Sequence, residues 1–196
     1  MDIIEKLKKL GYNPEDTAIL CVDCQNGFTL RCSDELPVKG TTEEWINSVN
    51  DFLNYAKKNK YKIIASKDDH PKKHISFKIW PPHCVKNTFG NELFISHYDF
   101  LIKKGTTENT DSYSAFYEDF NSKAPTELEN YLRKNNIKNL AVLGLAGDVC
   151  VLETIKTALE KKFNIIVLEN YIKSVNEKNM KEILEIEKLN DEVKII

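Results

Sequence analysis

Residues 139–159 read NLAVLGLAGDVCVLETIKTAL. The run from Leu140 to Leu145 is apolar throughout, as a strand buried on both faces requires. The chain then turns through Ala146, Gly147 and Asp148. A helical pattern follows at once, with Val151, Ile155, Ala158 and Leu159 on one face. Asp148 suits the N-cap of that helix, which puts Cys150 in its first turn. Unpaired N–H groups and the positive end of the helix dipole favour thiolate there. The segment therefore reads as strand, turn and helix with a nucleophile at the turn. The competing reading is a buried structural cysteine, since free Cys is among the most buried residue types.

Outward from this unit the same alternation repeats. Thr17–Asp23 is a first apolar strand, and Tyr61–Ala65, Asp99–Lys103 and Asn164–Leu168 add further ones, with Glu192–Ile196 as a last. Between them lie a helix at Thr41–Lys58 (Thr42 as its cap; Trp45, Val49, Phe52, Leu53 and Ala56 inward) and a helix at Pro125–Asn135. A third, Ser174–Leu189, opens on a Ser174/Glu177 capping box. Residues 1–16 form a helical extension with Ile3, Ile4, Leu7 and Leu10 inward and Gly11 as its stop. Strands alternating with helices imply an α/β fold: a three-layer, mainly parallel central sheet of about six strands with helices on both faces. The 196 residues suit one domain, 1–196, without repeats or linkers.

Composition excludes several classes. The net charge of −2 supplies no electrostatic case for nucleic acid or an anionic membrane. No apolar run approaches the ~20 residues of a membrane span. The first residues lack the apolar centre of a signal peptide, so the expected compartment is the cytoplasm. The five cysteines are odd in number and irregular in spacing, which argues against a disulfide framework. Cys21 and Cys24 form a C-x-x-C whose first cysteine lies inside a strand rather than at a helix start, and no second pair completes a zinc site. Oligomeric state stays open, a homo-oligomer included.

In α/β sheets ligands bind beyond the carboxyl ends of the strands. Asp23, Asp68, Cys150 and either Lys103 or Lys104 all fall just past a strand end. A carboxylate beside a thiol can take its proton, and an ammonium can hold the thiolate. The stretch 68–84, DDHPKKHISFKIWPPHC, carries three of the four histidines. A carboxylate with two or three imidazoles suits Zn2+, with Fe2+ or Mn2+ as alternatives. Phe28, Trp80, Tyr113 and Phe116 frame the same region and could line a pocket for a flat ligand.

Four stretches, AILCVDCQNGF (18–28), ASKDDHPKKHISF with WPPHCVKNTFGNEL (65–93), KGTTENTDSYSAF (104–116) and LGLAGDVCVLETIKTAL (143–159), resemble the isochorismatase-like cysteine hydrolases, and within them the nicotinamidases (pyrazinamidases). The resemblance implies Asp23, Lys104 and Cys150 as catalytic residues, and so selects Lys104 over Lys103. It implies Asp68, His70 and His83 as ligands of one divalent metal ion, with His74 left out. It also implies a cis peptide at Leu145–Ala146, an oxyanion hole from the N–H groups of Ala146 and Cys150, and Phe28, Trp80 and Tyr113 around a pyridine ring. The implied reaction converts nicotinamide, or pyrazinamide as an analogue, to the acid and ammonia through a thioester, in NAD salvage. Alternatives are another amide or ureido hydrolase of the superfamily, or a non-catalytic ligand-binding protein on this fold. Two positions depart from the pattern: Gly27 replaces the usual Asp of Q-N-D-F, and Gly147 replaces the common Thr before Asp148.

Overall fold

Along residues 2–196, which the computed structural model describes, the elements follow in this order: α1 (Ile3–Lys9), β1 (Thr17–Val22), α2 (Glu43–Lys58), β2 (Lys62–Asp68), β3 (Phe100–Lys104), β4 (Tyr117–Asp119), β5 (Ala124–Pro125), α3 (Leu128–Lys134), β6 (Asn139–Leu145), α4 (Leu152–Glu160), β7 (Asn164–Lys173), α5 (Met180–Ile186) and β8 (Val193–Ile195). Six strands form one parallel sheet in the order β3-β2-β1-β6-β7-β8. Every residue of β1 and β6 is buried. Successive side chains point to opposite faces, so both faces of the sheet centre are covered. The α/β architecture with about six parallel strands is as expected.

Local chemistry explains most of the boundaries. The Thr42 hydroxyl accepts the Trp45 N–H at 3.3 Å and starts α2, whose buried stripe is Trp45, Ile46, Val49, Phe52, Leu53 and Ala56. Each large apolar side chain on that stripe contributes roughly 1.5–3 kcal/mol on burial. Asp2 caps α1, which buries Ile4 and Leu7. Leu10 is exposed, contrary to the expected inward face, because α1 ends before it. None of the described helices is long and apolar enough to cross a membrane.

Other differences cluster where polar residues continue a strand or interrupt a helix. β2 runs on to Asp68 and β3 to Lys104, because their polar ends are paired and buried at one rim. The expected helix at 125–135 begins only at Leu128. Its first residues are held in the small β4–β5 hairpin, where Thr126 bonds the Ala115 and Phe116 carbonyls. β7 extends to Lys173, and the capping box that opens the last helix is Asn179 with Glu182, not Ser174 with Glu177.

The β1–β6 register sets Val22 opposite Gly144. Gly144 has φ +123°, and a Cβ there would collide with the Val22 backbone. Gly144→Ala is therefore expected to destabilise the fold by about 3 kcal/mol or more. Urea denaturation should show a lower midpoint at unchanged slope.

Candidate active site

The strand register gathers the expected residues on one rim. Asp68 and Lys104 are direct cross-strand partners on β2 and β3. Asp23 follows β1 in a left-handed conformation, φ +46°. Alternation along β3 settles the lysine: Lys104 is fully buried, while Lys103 turns the other way and pairs with Asp69 at 3.3 Å. Lys104 Nζ donates to Asp68 Oδ1, stands 2.9 Å from Asp23 Oδ2 and lies 3.8 Å from Cys150 Sγ. The Ser66 hydroxyl donates to Asp23 Oδ1 at 2.7 Å. The only partner of Asp23 Oδ2 among the described residues is the Lys104 ammonium, an ion-pair contact rather than a hydrogen bond of normal geometry. A carboxylate oxygen of Asp23 and Cys150 Sγ belong to one cluster of donor atoms within 4.8 Å of each other.

Electrostatics divides the two carboxylates. Burial pushes the Asp23 carboxyl above the usual aspartate value; Lys104 opposes this and the Asp68 charge adds to it. Burial acts on Asp68 as well, but Lys104 and then His70 outweigh it and hold that carboxyl well below the usual range. Lys104 pays its own burial penalty, yet Asp23 and Asp68 keep it charged, well above the ordinary lysine value. At Cys150 burial dominates and raises the thiol well above its usual value, against the pull of Lys104. Burial thus works against the thiolate that the place of Cys150 in the turn favours.

The Cys150 turn differs from a simple capped helix. Gly147–Val151 forms one π-helical turn ahead of α4, and the Ala146 carbonyl accepts the Val149 and Val151 N–H groups at 3.0 and 3.1 Å. The Leu145–Ala146 peptide is cis, as expected. Asp148 does not cap this helix: its two oxygens accept the Val175 and Asn176 N–H groups, each at 2.9 Å. It thereby straps the loop after β7 over the turn. Gly147 makes room for that loop, because a Cβ there would collide with Ser174.

Asp68, His70 and His83 each offer a donor atom within 4.8 Å of the others, and all three are buried. His70 Nδ1 donates to the Gly105 carbonyl at 3.0 Å and His83 Nδ1 to the Pro81 carbonyl at 2.7 Å. Carbonyls only accept, so Nδ1 carries the proton of each neutral ring and Nε2 is the nitrogen left to ligate, the arrangement found in metal-ligating histidines. Donor atoms of His70, His74 and Asp111 also fall within 4.8 Å of one another, as do those of Asp23, Asp68 and Cys150. Neither alternative fits as well. His74 already uses Nδ1 on Ser76 and Nε2 on the Thr110 carbonyl, and the Lys104 ammonium fills the space between Asp23 and Asp68. A two-imidazole, one-carboxylate set with remaining open positions fits a divalent ion of the zinc type.

Above these groups opens a pocket of ≈ 450 Å³, its mouth included. Phe28, Trp80 and Tyr113 all line it, together with Ala146 and Cys150. Trp80 Nε1 donates to Tyr113 Oη at 3.1 Å, joining two walls. Phe116 does not reach the pocket; it is buried against Phe163. Leu36, Val38, Asp111, Val149 and Val175 also line it, and none carried a sequence signal, since loops without periodicity deliver most of them. Gln25 is a further unforeseen residue. Its side-chain amide pairs with the N–H and carbonyl of Asp68, both at 2.8 Å, and so fixes the backbone at that carboxylate.

A parallel sheet with a Cys, Asp and Lys at its carboxyl rim and a metal-type donor set beside them defines a class. The chain belongs to the isochorismatase family, whose isochorismatase domain matches residues 17–193. It is similar to the nicotinamidase of Escherichia coli (strain K12), 30% identical over 182 residues that cover 81% of this chain and 84% of that protein. The pyrazinamidase of Pyrococcus horikoshii in complex with zinc superposes with a TM-score of 0.80 at 30% identity, covering 92% of this chain and 98% of that one. PnC1 from L. infantum in complex with nicotinate gives a TM-score of 0.80 at 28% identity, over 94% of this chain and 93% of that one.

Replacing Lys104 by Met leaves two buried carboxylates facing each other with no cation between them. The expected cost is about 3–5 kcal/mol of stability, read from the urea midpoint. Lys103→Met, at an exposed side chain, should cost less than about 1 kcal/mol in the same measurement.

Proposed function

We propose that this protein is a cysteine amidohydrolase that converts nicotinamide to nicotinate and ammonia in NAD salvage, in the cytoplasm. The chain would act as one hydrolase domain with residues 1–16 as a helical extension, a reading supported by the start of the family match at residue 17. The observation that carries the chemistry is the position of Lys104. One buried ammonium touches the base Asp23, the nucleophile Cys150 and the ligand carboxylate Asp68.

Asp23 Oδ2, the buried oxygen without a hydrogen bond, takes the Cys150 proton as sulfur attacks the amide carbon. Burial makes Asp23 a stronger base than an ordinary aspartate, and Lys104 stabilises the thiolate as it forms. The developing oxyanion is held by the N–H groups of Ala146 and Cys150 at the pocket wall. Asp23 returns the proton to the leaving amine, and ammonia departs. A water deprotonated by Asp23 then cleaves the thioester and restores the thiol. Phe28, Trp80 and Tyr113 sandwich the flat ring and exclude water. Asp68, His70 and His83 would hold a divalent ion, zinc first, with Fe2+ or Mn2+ as alternatives. When bound it supplies a Lewis acid that fixes the ring nitrogen and so orients the amide.

Ammonia release from nicotinamide, assayed before and after chelation with metal measured in the same sample, tests the whole reading. No release from the metal-loaded protein would sink it. Cys150→Ala is expected to lower turnover on the order of 10⁴-fold or more while metal stays bound; retained release would remove Cys150 as nucleophile. His83→Ala should chiefly raise KM for nicotinamide. An unchanged KM with metal still bound would contradict the orienting role.

A further inference from the structure

The departure at position 27 has a structural counterpart. Gly27 lies in the turn after β1, and Gly90 lies in a second turn, Phe89–Asn91. The Glu35 carboxylate, from the loop ahead of α2, enters between them. A Cβ added at either glycine would collide with that carboxylate, and one at Gly27 would also come within 3.0 Å of Cys84 Sγ and the Gly90 carbonyl. Both glycines therefore form a slot that the Glu35 side chain fills.

Within the slot Glu35 Oε2 accepts the Cys84 N–H at 2.8 Å. Cys84 directly follows His83 and adopts a left-handed conformation, φ +49°, which a non-glycine residue holds only when its surroundings enforce it. The Cys84 carbonyl accepts the His70 N–H at 3.3 Å, so the same turn also steadies the second imidazole. On its other side, the Glu35 loop is tied to the pocket wall: Leu36 N–H bonds the Gly27 carbonyl at 3.1 Å and Val38 N–H the Phe28 carbonyl at 3.0 Å. One carboxylate thus joins the loop that walls the ring pocket to the turn that carries a metal-type ligand.

We infer that Glu35 is a positioning residue that fixes His83 through the Cys84 N–H, performing from the 29–40 loop what a carboxylate at position 27 would perform from the β1 turn. The inference rests on the proposed metal site but not on the identity of the amide. Hydrogen-bonding partners that orient ligands typically tune metal affinity by 10–100-fold.

The test is the Kd for Zn2+, and for Co2+ read by its visible absorption, with a competing chelator and with the metal-free Tm of each variant recorded. Glu35→Ala is expected to weaken both affinities roughly tenfold or more, to shift the Co2+ spectrum, and to raise KM more than it lowers kcat at saturating metal. Glu35→Gln keeps an acceptor for the Cys84 N–H and should stay within about threefold of the unsubstituted protein. Adding Gly27→Asp to Glu35→Ala returns a carboxylate to the slot from the opposite wall and should recover metal affinity. Unchanged affinity and spectrum in Glu35→Ala overturn the proposal, whatever the activity. So does a loss that neither Glu35→Gln nor Gly27→Asp repairs, because the role would then be steric filling alone. If the unsubstituted protein binds no Zn2+, the metal reading fails and this inference with it; if it binds Zn2+ but releases no ammonia, the amidase reading fails and the Glu35 test still stands.

Discussion

A charged ammonium with no solvent contact has to be paired, and that requirement governs this molecule. Lys104 is fully buried at the end of β3, between Asp23 and Asp68 and against Cys150. Two carboxylates share one cation, and they share it unequally. Asp68 takes the direct hydrogen bond, and its carboxyl is held well below the usual range. Asp23 is left more basic, its Oδ2 facing the same ammonium at 2.9 Å without a hydrogen bond of normal geometry. Two like side chains are thus pushed in opposite directions by their surroundings.

The same rim binds the nucleophile to the metal-type cluster as one connected body. Gly105, next to Lys104, has φ +59°, and its carbonyl orients His70. A Cβ on Gly105 would press against the His70 ring at 2.5 Å. Lysine followed by glycine is therefore a joint requirement: the first residue pairs the acids, and the second lets an imidazole close over the strand end. His74 stacks on His70, ring centroids 3.8 Å apart, with both nitrogens spent on neighbours. It supports the ligand ring rather than adding to the donor set.

The C-terminal third shows how local rules can be satisfied and still misplace an element. Ser174-x-x-Glu177 and Asn179-x-x-Glu182 both fit the capping-box pattern. Only the second starts α5, because Asp148 has taken the backbone N–H groups of Val175 and Asn176 and made that stretch a loop over the Cys150 turn. The helix at 125 is shortened for a similar reason, with Thr126 bonded to a hairpin partner. In each case a contact between residues more than ten positions apart outweighs a signal that spans four.

Sequence alone determined the alternation of strands and helices, the parallel sheet, and which polar residues stand at its carboxyl rim. Those features depend on apolar runs and on motif spacing, and both are written along the chain. The choice of Lys104 over Lys103 needed either a family resemblance or the register of β3 against β2. Tertiary structure alone decided that burial opposes the thiolate at Cys150, that Gln25 braces Asp68, and that Glu35 fills the slot between Gly27 and Gly90. Burial and through-space pairing set these, and neither has a period or a spacing that a linear sequence can display.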